Sequence, residues 1–414
     1  MSGPGSIGTY VFLFVALYFE VCLLISFLEK RPAKRSPTIP SRYPNVCIIV
    51  PCFNEESTIV GTIQSLVGLE YPKEKLSIMV VDDGSKDNTK EIVETFIEST
   101  PNSQITYHYK ENGGKYTALN FGIENSTAEL IGCLDADSFV APEALLEIVK
   151  QFEKDPEVYA LTPAMKVFRP KNIIEAVQAV EYTSGIFLKK MFDNLSAITV
   201  IPGPFSLYRR EVFSKVGLFR HAYNTEDMEM AFRMHAHDLK ISNVHTAYVY
   251  TTVPRTLRTL IKQRTRWSQG YLQNSIKHYR YMYFNPRFGN FGMFILPFGI
   301  TSLLSGLYTA GYALFRVGAF LWNKISEPLT TGLPLYTPSI HFEWFYLNTS
   351  MLSFLVLTAL IATVTIIILG QRIAQQKLPV TWIATYLAFF GLIAPFWLVR
   401  AVWGTLRGTQ SKWR

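Results

Sequence analysis

An apolar run, Ile131-Gly132-Cys133-Leu134, ends in Asp135-Ala136-Asp137-Ser138, which sets two carboxylates one residue apart. In an extended chain, side chains at i and i+2 fall on one face, so both acids can meet one divalent cation. Left alone the two charges repel. Mg²⁺ or Mn²⁺ takes oxygen ligands and carries phosphate oxygens in its remaining positions, so the pair suits a nucleotide diphosphate. The same tripeptide also occurs at plain turns, and the rest of the chain must decide between the two readings.

Strands and helices alternate around this stretch. Val46 to Pro51 reads as a buried strand, the Asn54-Glu55-Glu56-Ser57 turn leads into a helix through Leu66, and Leu76 to Val81 is a second strand ended by Asp82-Asp83-Gly84-Ser85. A helix over about Asn88 to Glu98, a strand near Thr106 to Tyr109, a helix after Lys115 and the Ile131 strand continue the series. This order predicts a parallel sheet covered by helices on both faces, with ligands outside the carboxyl ends of its strands. Asn54, Asp83 and Asp137 all lie at such ends. No Gly-x-Gly-x-x-Gly follows the first strand and no Walker A loop is present, which argues against a dinucleotide fold. From about Tyr159 the alternation becomes irregular, until Thr225-Glu226-Asp227 opens a helix through Ala236 and a strand runs near Ile241 to Thr251.

The apolar content, 49% of the chain, is unevenly spread. Thr9 to Leu28 is about as long as the ~20 residues that cross a bilayer, and Lys30, Arg31, Lys34 and Arg35 follow it, predicting a span whose C-terminal end is cytoplasmic. A cleaved signal peptide is the alternative, but no charged n-region precedes the run. Three more apolar segments lie at Phe291 to about Leu321, Phe345 to Leu369 and Pro379 to about Trp403. Four spans place the C-terminus outside, whereas Arg400, Arg407, Lys412 and Arg414 favour the cytoplasm, so a re-entrant or uncounted segment stays open. Between Pro254 and Tyr283, apolar residues recur at helical spacing among basic ones, as in a helix lying on a membrane surface. Basic residues beside a cytoplasmic leaflet account for the net charge of +8 without invoking nucleic acid. Cys22, Cys47, Cys52 and Cys133 lack metal-ligand spacing and read as reduced. Glu20 inside the first span is costly in lipid and should face a partner, another helix or a product path.

Six motifs together resemble the membrane-embedded, processive family 2 glycosyltransferases, among them cellulose, chitin, hyaluronan and poly-N-acetylglucosamine synthases. They are Pro51-Cys52-Phe53-Asn54-Glu55, Asp82-Asp83-Gly84-Ser85, Gly113-Gly114-Lys115, Asp135-Ala136-Asp137, Thr225-Glu226-Asp227 and Gln263-Arg264-Thr265-Arg266-Trp267, in family order. The resemblance implies an α/β GT-A-like nucleotide-sugar transferase domain plus transmembrane and amphipathic interfacial helices. The expected layout is a span over 1–29, a linker over 30–45, the catalytic domain over 46–253, interfacial helices over 254–288 and further spans over 289–414. By position, Asp83, with Asp82 and Glu55, matches the uridine-binding acids, Lys115 the basic residue by the donor phosphates, and Asp135 and Asp137 the Mg²⁺ or Mn²⁺ pair. Asp227, beside Glu226, matches the general base of an inverting transfer, which needs one base and no carboxylate nucleophile. Gln263, Arg266 and Trp267 share a helix face and match the motif beneath the acceptor sugar and diphosphate. By residue type alone, Asp83 and Asp227 could equally be turn and helix caps.

The expected partners are a UDP-sugar donor, a growing glycan, the lipid bilayer and, where one is needed, an accessory subunit. UDP-N-acetylglucosamine is the expected donor, and the cell membrane with an inward-facing catalytic domain the expected location. The Pro202-Gly203-Pro204-Phe205-Ser206-Leu207-Tyr208-Arg209 loop is worded most like chitin and hyaluronan synthases. The short chain with one N-terminal span is more like poly-N-acetylglucosamine synthases, and Thr225-Glu226-Asp227 departs from the hyaluronan wording. Transfer of a single sugar to a lipid carrier or glycolipid, a silent scaffold or sensor, and a transporter are the rival functions.

Overall fold

The computed structural model describes residues 4–29, 39–331 and 350–409. The expected basic flank Lys30, Arg31, Lys34 and Arg35, the first residues of the Phe345 segment, and Lys412 and Arg414 lie outside the described residues.

Helix α1 (Pro4–Glu29) precedes an alternating domain of β1 (Val46–Cys52), α2 (Ile59–Val67), β2 (Leu76–Asp82), α3 (Thr89–Ser99), β3 (Gln104–Tyr109), α4 (Lys115–Glu124) and β4 (Leu130–Cys133). Then come β5 (Ser138–Val140), α5 (Ala144–Lys154), β6 (Val158–Val167), α6 (Ile173–Asn194), β7 (Ser206–Arg209), α7 (Glu211–Val216), α8 (Glu226–Ala236) and β8 (Lys240–Thr251). The chain continues through α9 (Leu257–Gln273), α10 (Leu296–Thr331), α11 (Met351–Ile373) and α12 (Val380–Leu406).

Every residue of β1, Val-Cys-Ile-Ile-Val-Pro-Cys, is buried, as a strand covered on both faces requires. Side chains of α2, α3 and α5 pack on one face of the sheet, and those of α4, α7 and α8 on the other. The sheet order is β3-β2-β1-β4-β7-β6-β8-β5. The parallel expectation holds for β3, β2, β1 and β4. Beyond them β6 and β8 also pair parallel, and the exceptions are β7, antiparallel to both β4 and β6, and β5, antiparallel to β8. The cause lies in the connections: only β-α-β crossovers bring a chain back parallel, and α6 together with the Pro202-Gly203-Pro204 loop delivers β7 from the opposite end.

The irregular stretch after Tyr159 hides the longest helix of the domain. Asn172 caps α6 by accepting from the Glu175 amide while the Glu175 carboxylate accepts from the Asn172 amide, a reciprocal box that fixes where the helix starts. This helix carries the domain's contact with the apolar helices. Phe27 of α1 meets Phe187 of α6 with ring centroids 5.8 Å apart, and Gly370 of α11 lies against the Thr183 carbonyl. Glu20 finds its partner in α11, where the Thr363 hydroxyl donates to it at 2.7 Å.

Among the described residues four helices are long and apolar enough to cross a membrane, α1, α10, α11 and α12. The last is tied at both ends to the same side of the molecule. Leu378, just before α12, packs with Val253, Ala179 and Val180. At its other end the Thr409 carbonyl accepts from Gln269 at 2.5 Å and from Gln273 at 3.3 Å, both on α9.

A Cβ on Gly370 would stand 2.5 Å from the Thr183 carbonyl oxygen, which is backbone and cannot swing aside. Gly370→Ala should therefore cost about 1–3 kcal/mol through overpacking and lower the melting temperature of the detergent-solubilised protein. An unchanged melting temperature would rule out the close α6–α11 contact.

Candidate active site

The end of β4, the starts of α4, α8 and α9, and one face of α6 enclose a cavity of about 790 Å³. Lys115, Asp135, Asp137, Glu226, Asp227, Gln263, Arg266 and Trp267 all line it. Sequence segments up to about 150 positions apart thus meet at the carboxyl ends of the strands.

Lys115 opens α4 and stands among the acids, 2.5 Å from an Asp135 oxygen and 3.6 Å from Glu226. Burial works against its charge, but Asp135 and then Glu226 outweigh it and hold the ammonium above the ordinary lysine pKa. The Pro202-Gly203-Pro204 loop presses on this pair. A Cβ at Gly203 would come within 2.5 Å of Lys115 Nζ and 2.6 Å of Asp135 Oδ1, so a larger residue here would push that ion pair aside.

Asp135 and Asp137 share the cavity for a different reason than alternation along a strand. Strand β4 stops at Cys133, and the two acids occupy a turn closed by the Ser138 amide donating to the Asp135 carbonyl at 3.0 Å. Burial, then the charges of Asp135 and Glu55, push the Asp137 pKa up to about 6. Two crowded oxygen donors facing one cavity fit a hard divalent cation. Among the described residues no three His, Cys, Asp or Glu gather into a metal-binding group. The protein therefore offers two carboxylates, and phosphate and water would complete the shell.

Thr225 rather than Asp227 occupies the N-cap position of α8. Asp227 Oδ1 accepts from the adjacent Met228 amide at 2.8 Å, which is not the bond of a capping side chain. Burial, then the neighbouring Glu226 charge, raises its pKa to about 6, while Lys115 and Arg266 pull the other way. A carboxyl tuned to this range, in a cavity, has the properties of a general base.

The α9 face at i, i+3 and i+4 is used as its spacing predicts, since Gln263, Arg266 and Trp267 all reach the cavity. The Gln263 side-chain oxygen is buried without a hydrogen-bond partner among the described residues. Arg266 donates to the Asn224 carbonyl at 2.5 Å. It is Arg264, not named by the spacing argument, that stacks over the Trp267 ring at 4.3 Å from its centroid. Glu181 of α6 fixes that guanidinium at 2.7 Å.

Glu55, Asp82 and Asp83 do not line this cavity. Asp83 is buried and accepts from the amides of Gly113 (3.0 Å) and Gly114 (2.8 Å) and from Lys110 (2.7 Å). Its visible work is to fasten the loop that presents Lys115. Asp82 accepts from the Ser85 amide and the Tyr107 hydroxyl, each at 2.7 Å. Glu55 accepts from Thr58 at 2.7 Å and lies near enough to influence Asp137. The sequence reading missed Glu181, Gly185 and Lys189, which α6 contributes to the cavity. The spacing of Glu181, Gly185 and Lys189, i, i+4 and i+8, would have put them on one helix face had the helix been recognised.

Residues 47–217 match the family described as glycosyl transferase family 2. The chain is 32% identical over 263 residues to a poly-beta-1,6-N-acetyl-D-glucosamine synthase of Staphylococcus epidermidis, covering 62% of this chain and 63% of that relative. With the Staphylococcus aureus synthase the figure is 33% over 226 residues, 54% of each chain. The matched stretch thus spans less than two thirds of these relatives' length. Among solved structures, a mannosyltransferase from Pyrobaculum calidifontis, PcManGT, in complex with GDP-Man and Mn²⁺, superimposes with a TM-score of 0.63 at 20% identity over 97% of both chains, a likeness of fold. The match of residues 47–217 to glycosyl transferase family 2 and the likeness of fold fall on the same GT-A-like α/β domain, built on β1 to β7.

Proposed function

We propose that the protein is a membrane-bound inverting glycosyltransferase that extends a β-linked glycan with N-acetylglucosamine from UDP-N-acetylglucosamine, adding sugars processively as the product passes into the membrane. One observation carries the reading: a single cavity brings a carboxylate pair, a lysine, an isolated base and the Gln263, Arg266 and Trp267 face together. The similarity to poly-beta-1,6-N-acetyl-D-glucosamine synthases supports the choice of sugar.

In this reading Asp135 and Asp137 hold Mg²⁺ or Mn²⁺, which when bound neutralises the diphosphate and eases its departure. Lys115 and Arg266 add positive charge on the same leaving group. Asp227 takes the proton of the acceptor hydroxyl as that oxygen attacks the anomeric carbon, and the configuration inverts in one displacement. Arg264 covers one face of the Trp267 ring, so the acceptor sugar stacks on the other. Asp82, Asp83 and Glu55 shape the floor beneath the uridine by fastening the loops at the ends of β1 and β2.

The membrane arrangement follows from the anchors of the helices. α1, α10 and α11 cross the bilayer, while α12 lies along α9 on the catalytic, cytoplasmic side of the cell membrane. At 1.5 Å per residue the 27 residues of α12 reach about 40 Å, matching the distance along α9 and its lead-in from Val253 to Gln273. Three crossings return Arg400 and Arg407 to the cytoplasmic leaflet that their charges favour.

Four measurements test this. Purified protein given radiolabelled UDP-N-acetylglucosamine and Mg²⁺ or Mn²⁺ should yield long products; a single transferred sugar on a lipid would overturn processive extension. Asp227→Asn should keep UDP affinity while kcat falls by about 10²–10⁴. Because the base works ionised, kcat/KM of the unmodified protein should fall as pH drops through about 6, as Asp227 takes up a proton. For the membrane arrangement, green fluorescent protein fused after Arg414 should fluoresce and alkaline phosphatase fused there should stay inactive; the opposite pair of results means that α12 crosses.

A further inference from the structure

The donor motifs enter the cavity from the strand ends and from α4. The wall across from them is α6, which turns Glu181, Gly185 and Lys189 into the space as an i, i+4, i+8 stripe. These three residues are unlike one another in state. Glu181 is committed to Arg264 at 2.7 Å. A Cβ added to Gly185 would meet nothing within 4 Å, so the cavity is open above it. Lys189 has neither an ion pair nor a hydrogen bond among the described residues, whereas its neighbour Lys190 turns away and sits 3.3 Å from His245.

An ammonium group in such a place is costly. Burial pushes the Lys189 pKa down to about 8, and the charge opposing that shift is Asp227. Lys189 is half-buried at the cavity wall, and a partly desolvated cation without a protein partner is completed by water or by a ligand. The diphosphate side of the cavity already has its lysine, Lys115, held by Asp135 and Glu226. Lys189 instead lies on the side of Asp227, where the attacking sugar must stand.

We propose that Lys189 is an acceptor-specificity residue whose ammonium donates to an oxygen of the acceptor sugar, a ring hydroxyl or an acetamido carbonyl, while the gap at Gly185 admits the ring. This deepens the glycan-extension reading and rests on it. Lys189 leaves the donor untouched, and its removal weakens the acceptor alone.

The test is equilibrium binding of a β-1,6-linked N-acetylglucosamine trisaccharide to the full chain in the presence of UDP, by saturation-transfer NMR, with acceptor KM measured alongside. Lys189→Met, of similar length and without charge, should weaken trisaccharide binding and raise acceptor KM by about tenfold or more, with UDP affinity by calorimetry unchanged. Lys189→Arg should recover part of the loss. Gly185→Leu, which fills the gap without touching a charge, should also weaken the trisaccharide. Equal trisaccharide binding by the unmodified protein and Lys189→Met would overturn the proposal, as would a parallel loss of UDP affinity. Should the unmodified protein bind the trisaccharide in a Lys189-dependent way yet transfer no sugar, the extension reading fails and the role of Lys189 stands.

Discussion

Four of the carboxylates that line the cavity crowd around the Lys115 ammonium, and its charge makes that crowding tolerable. Asp135, Asp137, Glu226 and Asp227 repel one another at such short range, and a carboxyl driven neutral neither binds a cation nor removes a proton. At an effective dielectric of about 20, unit charges ~4 Å apart interact by roughly 4 kcal/mol, so Lys115, touching Asp135 and close to Glu226, counters a repulsion of similar size. It does not counter all of it. Burial first, and then neighbouring carboxylates, push the pKa values of Asp137 and Asp227 up to about 6 against the pull of Lys115 on both. In the proposed reading the two divide the labour, Asp137 toward a metal ion and Asp227 toward a proton. The Gly203 loop and the Asp83 bonds to Gly113 and Gly114 matter because they fix where that lysine stands.

Much of this could be read from residue order, and the misses have physical causes. Strands β1, β2 and β4 announce themselves because strands buried on both faces are apolar throughout, and the acids that follow mark their ends. Gln263, Arg266 and Trp267 obey helical spacing and meet the cavity together. Three-dimensional packing decided what spacing could not. Asp83 looks like a ligand contact in sequence, yet its acceptors are spent on local amides, a fact that depends on a loop 30 residues away. The α6 stripe went unseen because that helix is buried on most sides, so its pattern lacks the clear polar face by which an amphipathic helix is recognised.

That buried helix is also where membrane and chemistry meet. On one side α6 is pinned to α1 through Phe187 and to α11 through Gly370. On the other, its Glu181 holds Arg264, which lies flat on Trp267. A rigid rod connects the two, since a helix transmits position with little give. The aromatic platform of the cavity is therefore placed by the apolar helices as much as by the sheet, and a fragment ending before α9 would lack the platform.

The base is placed by the same helix α9, through a strained turn. Ala222, Tyr223 and Asn224 adopt positive φ of 39°, 57° and 60° in succession, a conformation that side chains with a Cβ rarely take. Each such residue costs on the order of 1–3 kcal/mol unless its surroundings enforce it. Enforcement comes from α9 and the turn after it, where Arg266 donates to the Asn224 carbonyl and Asn274 to the Thr225 hydroxyl at 2.9 Å. Thr225 then starts α8, and Asp227 follows in its first turn. Arg266 is thus bound on one edge to the loop that aims the base, while the guanidinium lines the cavity where the leaving group is expected. In the proposed reading, the charge that answers the diphosphate and the brace that orients the base are the same side chain, so the donor and acceptor halves of the site are coupled through Arg266.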